Sequence, residues 1–298
     1  MHILITGGTG FIGRALCRDL LQHGHQLAVY SRRTASIASL CGTSVEPVAS
    51  LAQLSGDRHF DAVINLAGEG IADRLWTARR KRLLRESRIA TTRALVDFVA
   101  RADTAPSVLI SASAVGWYGD QGDTVLDEHA AAEPDFAHEL CRDWEAEAER
   151  VRAFGVRLCI LRTGVVLARD GGMLQRLILP FRCGLGGRIG DGQQWLSWIH
   201  RVDVIELISF LLHHPGQQGI FNATAPAPVT NAEFTRVLAT ILRRPALLPV
   251  PATVLRTLLG ELAQLLLGGQ RVVPARVLAA GFVFRCPTLA EALQAELR

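Results

Sequence analysis

The chain has 298 residues, of which 49% are hydrophobic and 20% are charged, and its formal net charge is +4. These values are ordinary for a globular protein, and so small a net charge gives no indication of a nucleic-acid or membrane partner. Six scattered cysteines without a C-x-x-C pair argue against a disulfide framework or a zinc site, and favour a cytoplasmic protein with reduced thiols.

A glycine-rich turn follows the first predicted strand. The apolar run His2–Ile5 predicts that strand, and the amphipathic stretch after the turn predicts a helix. Between them Thr6–Gly13 reads TGGTGFIG. Gly7, Gly10 and Gly13 would allow a tight turn and the close approach of a pyrophosphate, while the helix N-terminus offers free N–H groups. A strand, a turn and a helix in this order predict a dinucleotide-binding unit rather than a plain tight turn.

The end of the second predicted strand, Gln26–Tyr30, indicates which dinucleotide is bound. NAD-binding proteins carry an acidic residue there, which holds the ribose hydroxyls. This chain has Ser31 and Arg32 instead, and no Asp or Glu occurs between Asp19 and Glu46. Because a guanidinium can grip a phosphate through two hydrogen bonds, the sequence predicts NADP(H), with Ser31 and Arg32 as ligands of the 2′-phosphate. An exposed arginine without a ligand is the alternative interpretation.

Strand and helix patterns alternate through the rest of the first half of the chain. They predict strands at 44–48, 61–66, 107–111 and 156–161, and helices at about 73–102 and 137–153. Such alternation is typical of a parallel sheet with helices on both faces. The predicted fold class is therefore α/β, a Rossmann-like doubly wound parallel sheet.

The alternation of strands and helices is interrupted between residues 164 and 192. This segment is rich in glycine, and we expect it to contain too many glycines to form regular strands or helices. A loop-rich insert of this kind is where a substrate site would be built. Beyond it, the patterns predict helices at 203–212 and 231–242, a short strand at 219–222 and a mostly helical tail from 251 to 298. We therefore expect an NADP-binding domain at 1–223, with the substrate-side insert at about 164–200, and a mainly helical region at 224–298.

Other classes of function receive no support from the sequence. The arginine-rich segment 79–88 contains interleaved leucines, which predict a helix with a solvated basic face rather than a nucleic-acid site. The glycine turn begins almost at once, so we expect no signal peptide. The apolar run at 262–267 is too short to span a bilayer, and nothing indicates a metal site.

Motifs along the whole chain resemble those of a known family. Besides the glycine turn they are Asn65–Glu69, Ser87 with Arg88, Ser111–Ser113, Tyr118 with Gly119, Arg162–Leu167, Gly184–Gly187, Trp198–His200 with Asp203, and Gly269–Arg271 with Pro274. Together they resemble an extended short-chain dehydrogenase/reductase of the NAD-dependent epimerase/dehydratase superfamily. More narrowly, they resemble its atypical NADP-binding, sugar-nucleotide-epimerase-like subgroup, in which a small helical C-terminal domain has no assigned role.

The resemblance implies where a cofactor would lie. Leu66 and Ala67 would lie along its adenosine and pyrophosphate, Arg88 would reach toward it from the following helix, and Val166 would lie near the nicotinamide. With the glycine turn and the residues after the second strand, the full set of predicted cofactor-binding residues is Gly7, Gly10, Phe11, Ile12, Gly13, Ser31, Arg32, Leu66, Ala67, Gly68, Arg88, Ser111 and Val166.

The resemblance also implies catalytic residues, but one essential pair is missing. Ser113 matches the residue that hydrogen-bonds the reacting oxygen in active members, the alternative being a serine that satisfies backbone groups at a strand end. Active members also use a Tyr-x-x-x-Lys pair, whose lysine lowers the tyrosine pKa. This chain cannot have that pair, since its tyrosines are Tyr30 and Tyr118 and its single lysine, Lys81, precedes Ser113.

Two substitutes for the missing pair are visible in the sequence. His138 and Arg142 have the Tyr/Lys spacing, although one turn of a surface helix produces such pairs by chance. Tyr118 follows Ser113 in a loop that should border the nicotinamide, but no cationic neighbour is visible to lower its pKa. His200 and Asp203 are expected to line the pocket from the opposite side, unless Asp203 only forms a helix-start hydrogen bond.

Two functions from different classes remain open. The first is an NADP(H)-dependent oxidoreductase or epimerase-type enzyme that acts on a small, anionic substrate such as a sugar nucleotide, with Ser113 and Tyr118 at the reaction site. Arg162, Arg182 and Arg188 are the candidates for holding that substrate. The second is a non-catalytic NADP(H)-binding sensor or interaction protein, which the missing Tyr-x-x-x-Lys pair favours.

Overall fold

The apolar runs of the chain form a central parallel sheet. In the computed structural model, which describes residues 1–297, the strands are β1 (His2–Thr6), β2 (Gln26–Tyr30), β3 (Glu46–Val48), β4 (Ala62–Asn65), β5 (Val108–Ala114), β6 (Val125–Leu126), β7 (Arg157–Thr163), β8 (Val165–Ala168), β9 (Trp195–Leu196), β10 (Trp198–His200), β11 (Gly219–Ala223), β12 (Val229–Thr230) and β13 (Arg271–Val272). Seven strands pair in the order β11-β7-β5-β4-β1-β2-β3, all parallel. The strand order reverses between β1 and β4, where doubly wound sheets bind their ligands. This topology confirms the predicted Rossmann-like fold.

Helices cover both faces of the sheet. They are α1 (Phe11–Gln22), α2 (Ile37–Cys41), α3 (Ala78–Arg101), α4 (Phe136–Glu149), α5 (Gly172–Arg182), α6 (Arg201–His213), α7 (Asn231–Leu242), α8 (Ala252–Leu259), α9 (Gln264–Leu267), α10 (Ala275–Ala279) and α11 (Leu289–Leu297). Ile3 and Ile5 pack with α1 and α6, whereas Leu4 between them packs with α3 on the other face. All three side chains are fully buried, which explains why the strand reads as a continuous apolar run.

Several element boundaries differ from the prediction, and two of the differences bear on the site. Helix α3 begins at Ala78 rather than near residue 73, because the Thr77 side chain accepts a hydrogen bond from the Arg80 N–H and caps the helix there. Strand β5 continues to Ala114, beyond the predicted end at residue 111. Ser113 therefore lies within a strand of the central sheet.

The expectation that 164–192 contains too many glycines for regular elements is wrong. This segment holds strand β8 and the eleven-residue helix α5. Two of its glycines stand at the ends of the helix: Gly172 has a φ of +62° at the start of α5, and Gly184 has a φ of +75° just after its end. Glycine tolerates this left-handed backbone, so these residues delimit the helix instead of breaking it.

The C-terminal region is mainly helical, as predicted. Phe234 and Leu238 of α7 pack against Leu289 and Leu293 of α11 in one apolar cluster. The division of the chain at residue 223 stays a prediction. In the described residues, none of the helices is both long and apolar enough to cross a membrane.

Candidate functional site

The turn between β1 and α1 has room only for glycine at two positions. Gly7 has a φ of +73°, and a Cβ there would clash with the carbonyl of Leu66 just after β4. A Cβ on Gly13 would clash with the carbonyl of Gly7. The Gly10 N–H closes the turn by donating a hydrogen bond to the Gly7 carbonyl at 2.9 Å. The turn therefore lies directly against the carboxyl end of β4.

The N-terminus of α1 offers hydrogen-bond donors. Its N-cap is Gly10, which has no side chain to accept from the first turn, and that turn contains no acidic residue. Because a helix leaves its first N–H groups without intrahelical partners, they and the positive end of the helix dipole remain for an anion. Phe11 and Ile12 begin the helix, and the Phe11 ring lies against Gly171. The turn and this helix end, together called the cradle, thus suit an anion such as a pyrophosphate.

Asn65, at the end of β4, links three elements beneath this cradle. Its amide oxygen accepts a hydrogen bond from the Thr6 hydroxyl at 2.6 Å. Its amide nitrogen donates to the hydroxyls of Thr92 on α3, at 2.8 Å, and Ser111 on β5, at 3.2 Å. Ser111 is only 1% exposed. Its hydroxyl is thus engaged inside the protein, which does not favour the predicted contact with a cofactor.

Arg32 and Ser31 follow β2 at the edge of the cradle. The Arg32 side chain is 72% exposed, and its guanidinium donates a hydrogen bond to the Glu69 carboxylate at 3.0 Å. This hydrogen bond lowers the pKa of Glu69, with a further contribution from Arg80. The Ser31 hydroxyl accepts from the Arg33 N–H at 3.1 Å. Arg32 can exchange its carboxylate partner for a phosphate, since an exposed ion pair contributes little stability.

Arg88 lies where α3 passes the loop after β4. Its guanidinium donates to the backbone carbonyls of Leu84, at 3.2 Å, and Glu69, at 3.0 Å, and it lies beside Gly68. Burial lowers the pKa of Arg88. The structure thus brings a half-buried cation to the loop that continues from Leu66 and Ala67, and its reach toward a cofactor stays a prediction.

Ser113 belongs to a buried ionic network. It is 4% exposed, and its hydroxyl donates a hydrogen bond to Glu145 Oε1 of α4 at 2.6 Å. Arg162 of β7 donates to both oxygens of the same carboxylate, at 3.0 and 2.9 Å. Glu145 was not identified from the sequence, although Arg162 was named as a substrate-binding candidate. The sequence alone does not show that β5 and β7 pair with Ser113 opposite Arg162, and this pairing is what brings the network together.

Tyr118 is fully buried and its hydroxyl donates to Asn222 Oδ1 at 2.7 Å. The expectation that it has no cationic neighbour is wrong, because the Arg162 guanidinium carbon lies 5.0 Å from its ring centre. Burial nevertheless raises the pKa of Tyr118, and Arg162 only partly opposes this effect. These contacts do not favour proton transfer by Tyr118 near neutral pH.

The pair at the Tyr/Lys spacing does not form a dyad. His138 Nδ1 lies 2.6 Å from the Trp117 carbonyl, while the exposed Arg142 pairs with its neighbour Asp143 at 2.8 Å. On the buried side of the same helix, burial raises the pKa of the Cys141 thiol to about 12. These contacts do not favour His138 and Arg142 as a substitute for the Tyr-x-x-x-Lys pair.

The remaining candidates are distributed over the substrate side. Val166 lies in β8, and its carbonyl is close to Gly172 near the Phe11 ring. His200 is 4% exposed and its Nε2 lies 2.9 Å from Glu296 of α11. Asp203 is fully buried and accepts hydrogen bonds from the N–H groups of residues 285 and 286, so it anchors the C-terminal region instead of lining a pocket.

Two family models match the chain. The model of the NAD dependent epimerase/dehydratase family matches residues 3–224, and a model described as a domain of unknown function (DUF1731) matches residues 250–296. The first match covers the central sheet with the glycine turn, and the second covers most of the C-terminal helices.

Relatives resemble the chain over nearly its whole length. The chain is 39% identical to the chloroplastic epimerase family protein SDR39U1 homolog of Arabidopsis thaliana, over 99% of this chain and 86% of that protein. It is 40% identical to epimerase family protein SDR39U1 of Bos taurus, over 99% of each chain. The crystal structure of human SDR39U1 with NADPH superimposes with a TM-score of 0.91 at 35% identity, over 100% of this chain and 99% of that one.

Proposed function

Because the chain belongs to the NAD dependent epimerase/dehydratase family, we propose that it is an NADP(H)-binding protein of the epimerase type. The observation that carries this proposal is the turn between β1 and α1, where Gly7 and Gly13 allow close backbone packing and the N-terminus of α1 has no side-chain cap. The human relative crystallised with NADPH has the same fold and supports the choice of cofactor.

The residues present fit NADP(H). The uncapped N-terminus of α1 would hold the pyrophosphate, and the exposed Arg32 would take the 2′-phosphate in place of Glu69. Ser31 would add a hydroxyl to that phosphate site. The half-buried cation of Arg88 would favour the negative charge of the cofactor from the other side of the loop. When bound, NADP(H) supplies a hydride acceptor or donor at its nicotinamide ring.

The reaction we propose is hydride transfer to or from a small, anionic substrate. In it, Ser113 would hydrogen-bond the reacting oxygen. The Ser113 hydroxyl donates to Glu145 in the structure. To bind the reacting oxygen, this hydroxyl would either donate to the substrate instead of Glu145 or accept a hydrogen bond from the substrate. Tyr118 would need to release Asn222 in the same way.

A second candidate function is NADP(H) binding without catalysis, as in a sensor or interaction protein. One observation favours it: both hydroxyls expected at the reaction site, Ser113 and Tyr118, donate to buried acceptors within the protein. The absence of a Tyr-x-x-x-Lys pair in the sequence points the same way. The two candidates share the cofactor and differ only in turnover.

The experiment that separates them measures NADPH oxidation with a panel of carbonyl compounds and nucleotide sugars. The enzyme proposal predicts turnover that Ser113→Ala reduces at least tenfold while NADPH affinity stays unchanged. Ser107→Ala is the matched control, since Ser107 lies just before the first residue of β5, at the end opposite to Ser113. NADPH binding without any turnover in the wild-type protein would favour the binding function.

A further inference from the structure

A second cavity, away from the glycine turn, has the charge of an anion site. It has a volume of about 750 Å³ and is lined by α7, the loop before β9 and the segment after α7. Four arginines contribute to its lining, namely Arg188, Arg236, Arg243 and Arg244. A cavity of this size is in the range of small-molecule sites.

These arginines are poorly neutralised. Among the residues that the structure describes, none that lines the cavity is acidic. Within residues 1–297, only Arg236 of the four has a carboxylate neighbour, Glu233, at 4.0 Å. Like charges around one cavity repel each other, and a bound anion would remove this repulsion.

Backbone hydrogen bonds hold the cavity wall in place. The Val250 N–H donates to the Arg188 carbonyl at 2.8 Å, and the Ile189 N–H donates to Asn231 Oδ1 at 2.8 Å. Gly187 lies so close to the Leu248 carbonyl that a Cβ there would clash with it. The loop that carries Arg188 is thus fixed against both α7 and the segment after it.

The conformation of Arg243 is unusual. It follows the last residue of α7 with a φ of +53°, the one positive φ among the non-glycine residues of 1–297. Glycine is the residue that usually takes this position. A cation near a helix C-terminus interacts favourably with the helix dipole. The dipole does not explain Arg188, which a different element brings to the same cavity.

We propose that this cavity binds a small molecule that carries two or more phosphate groups. Guanidinium groups hydrogen-bond phosphates through two parallel donors, and several of them suit a polyphosphate better than a single carboxylate. Leu247, which is 80% exposed, and Pro249 provide apolar surface for the rest of the ligand. Neither the glycine turn nor β5, which carries Ser113, is among the described residues that line the cavity, so this ligand is additional both to NADP(H) and to a substrate held at Ser113.

The test is a calorimetric titration of inorganic pyrophosphate into the full chain saturated with NADPH, so that the cradle at α1 is already filled. We expect saturable binding of one pyrophosphate, weakened about tenfold by Arg188→Gln and by Arg243→Gln, which is the loss of one charge-assisted contact. Arg256→Gln removes an exposed charge from α8 outside the cavity and should change nothing.

Three results would overturn the proposal. They are the absence of saturable pyrophosphate binding, an equal weakening in Arg256→Gln, and tighter binding of a single-stranded oligonucleotide that displaces pyrophosphate. The last would identify a nucleic-acid surface instead. NADPH affinity is measured for the wild type and for every variant. A wild-type protein that does not bind NADPH would contradict the cofactor proposal and leave the proposal for this cavity unaffected.

Discussion

Replacement of Glu145 by glutamine tests the buried network at the predicted reaction site. Glu145 accepts two hydrogen bonds from Arg162 and one from Ser113, and Arg162 is 1% exposed. The amide keeps the shape of the side chain but removes the charge, which leaves a buried guanidinium without a counter-ion. Removing one partner of such a pair costs about 3–5 kcal/mol of unfolding free energy.

The assay is urea unfolding followed by tryptophan fluorescence. The Arg162 guanidinium carbon lies 3.4 Å from the centre of the Trp117 ring, so one tryptophan reports on the network directly. Glu139→Gln on the same helix is the control, because its partner Arg85 is partly exposed and such pairs contribute about 0–1 kcal/mol. The double variant Glu145→Leu/Arg162→Met removes both charges and should recover most of the loss. Equal losses in Glu145→Gln and Glu139→Gln would refute the reasoning.

Three further predictions concern the cradle, the tyrosine and the C-terminal helix. Gly13→Ala should abolish NADPH binding in a fluorescence titration, because the added Cβ meets the carbonyl of Gly7, and unchanged affinity would contradict this. Tyr118→Phe leaves Asn222 Oδ1 without its donor and should cost about 1–3 kcal/mol in urea unfolding. The proposed reaction places Tyr118 beside Ser113, so the same variant should also lower any NADPH turnover, and an unchanged rate would remove Tyr118 from the reaction site. Glu296→Gln removes the charge beside His200 and should speed limited proteolysis within α11, whereas an unchanged cleavage rate would contradict that link.

The cofactor half of the site could be predicted well from the sequence, because its residues lie close together along the chain. The glycine turn occupies Thr6–Gly13 between a strand and a helix, and Arg32 follows the next strand directly. Local spacing and chemistry are sufficient there. The parallel sheet with helices on both faces also follows from the alternation of strands and helices.

The reaction half could not be predicted, because long-range contacts decide it. Glu145 and Arg162 meet Ser113 only through the packing of α4 and the pairing of β5 with β7. Asn222 reaches Tyr118 from β11. The arginines around the second cavity come from separate segments in the same way, and only Arg188 was noted in advance. The prediction that 164–192 forms no regular elements was wrong because glycine is common both in loops and at the ends of helices such as α5.

The central claim is that Arg32 and the glycine turn select NADP(H). The most direct measurement compares the dissociation constants of NADPH and NADH for the wild type, Arg32→Ala and the neighbouring control Arg33→Ala. A bidentate contact between guanidinium and phosphate is worth about 1.5–3 kcal/mol, so the wild type and Arg33→Ala should prefer NADPH by roughly ten- to a hundredfold. In Arg32→Ala the two constants should become similar. Equal affinities in the wild type, or an unchanged preference in Arg32→Ala, would contradict the account.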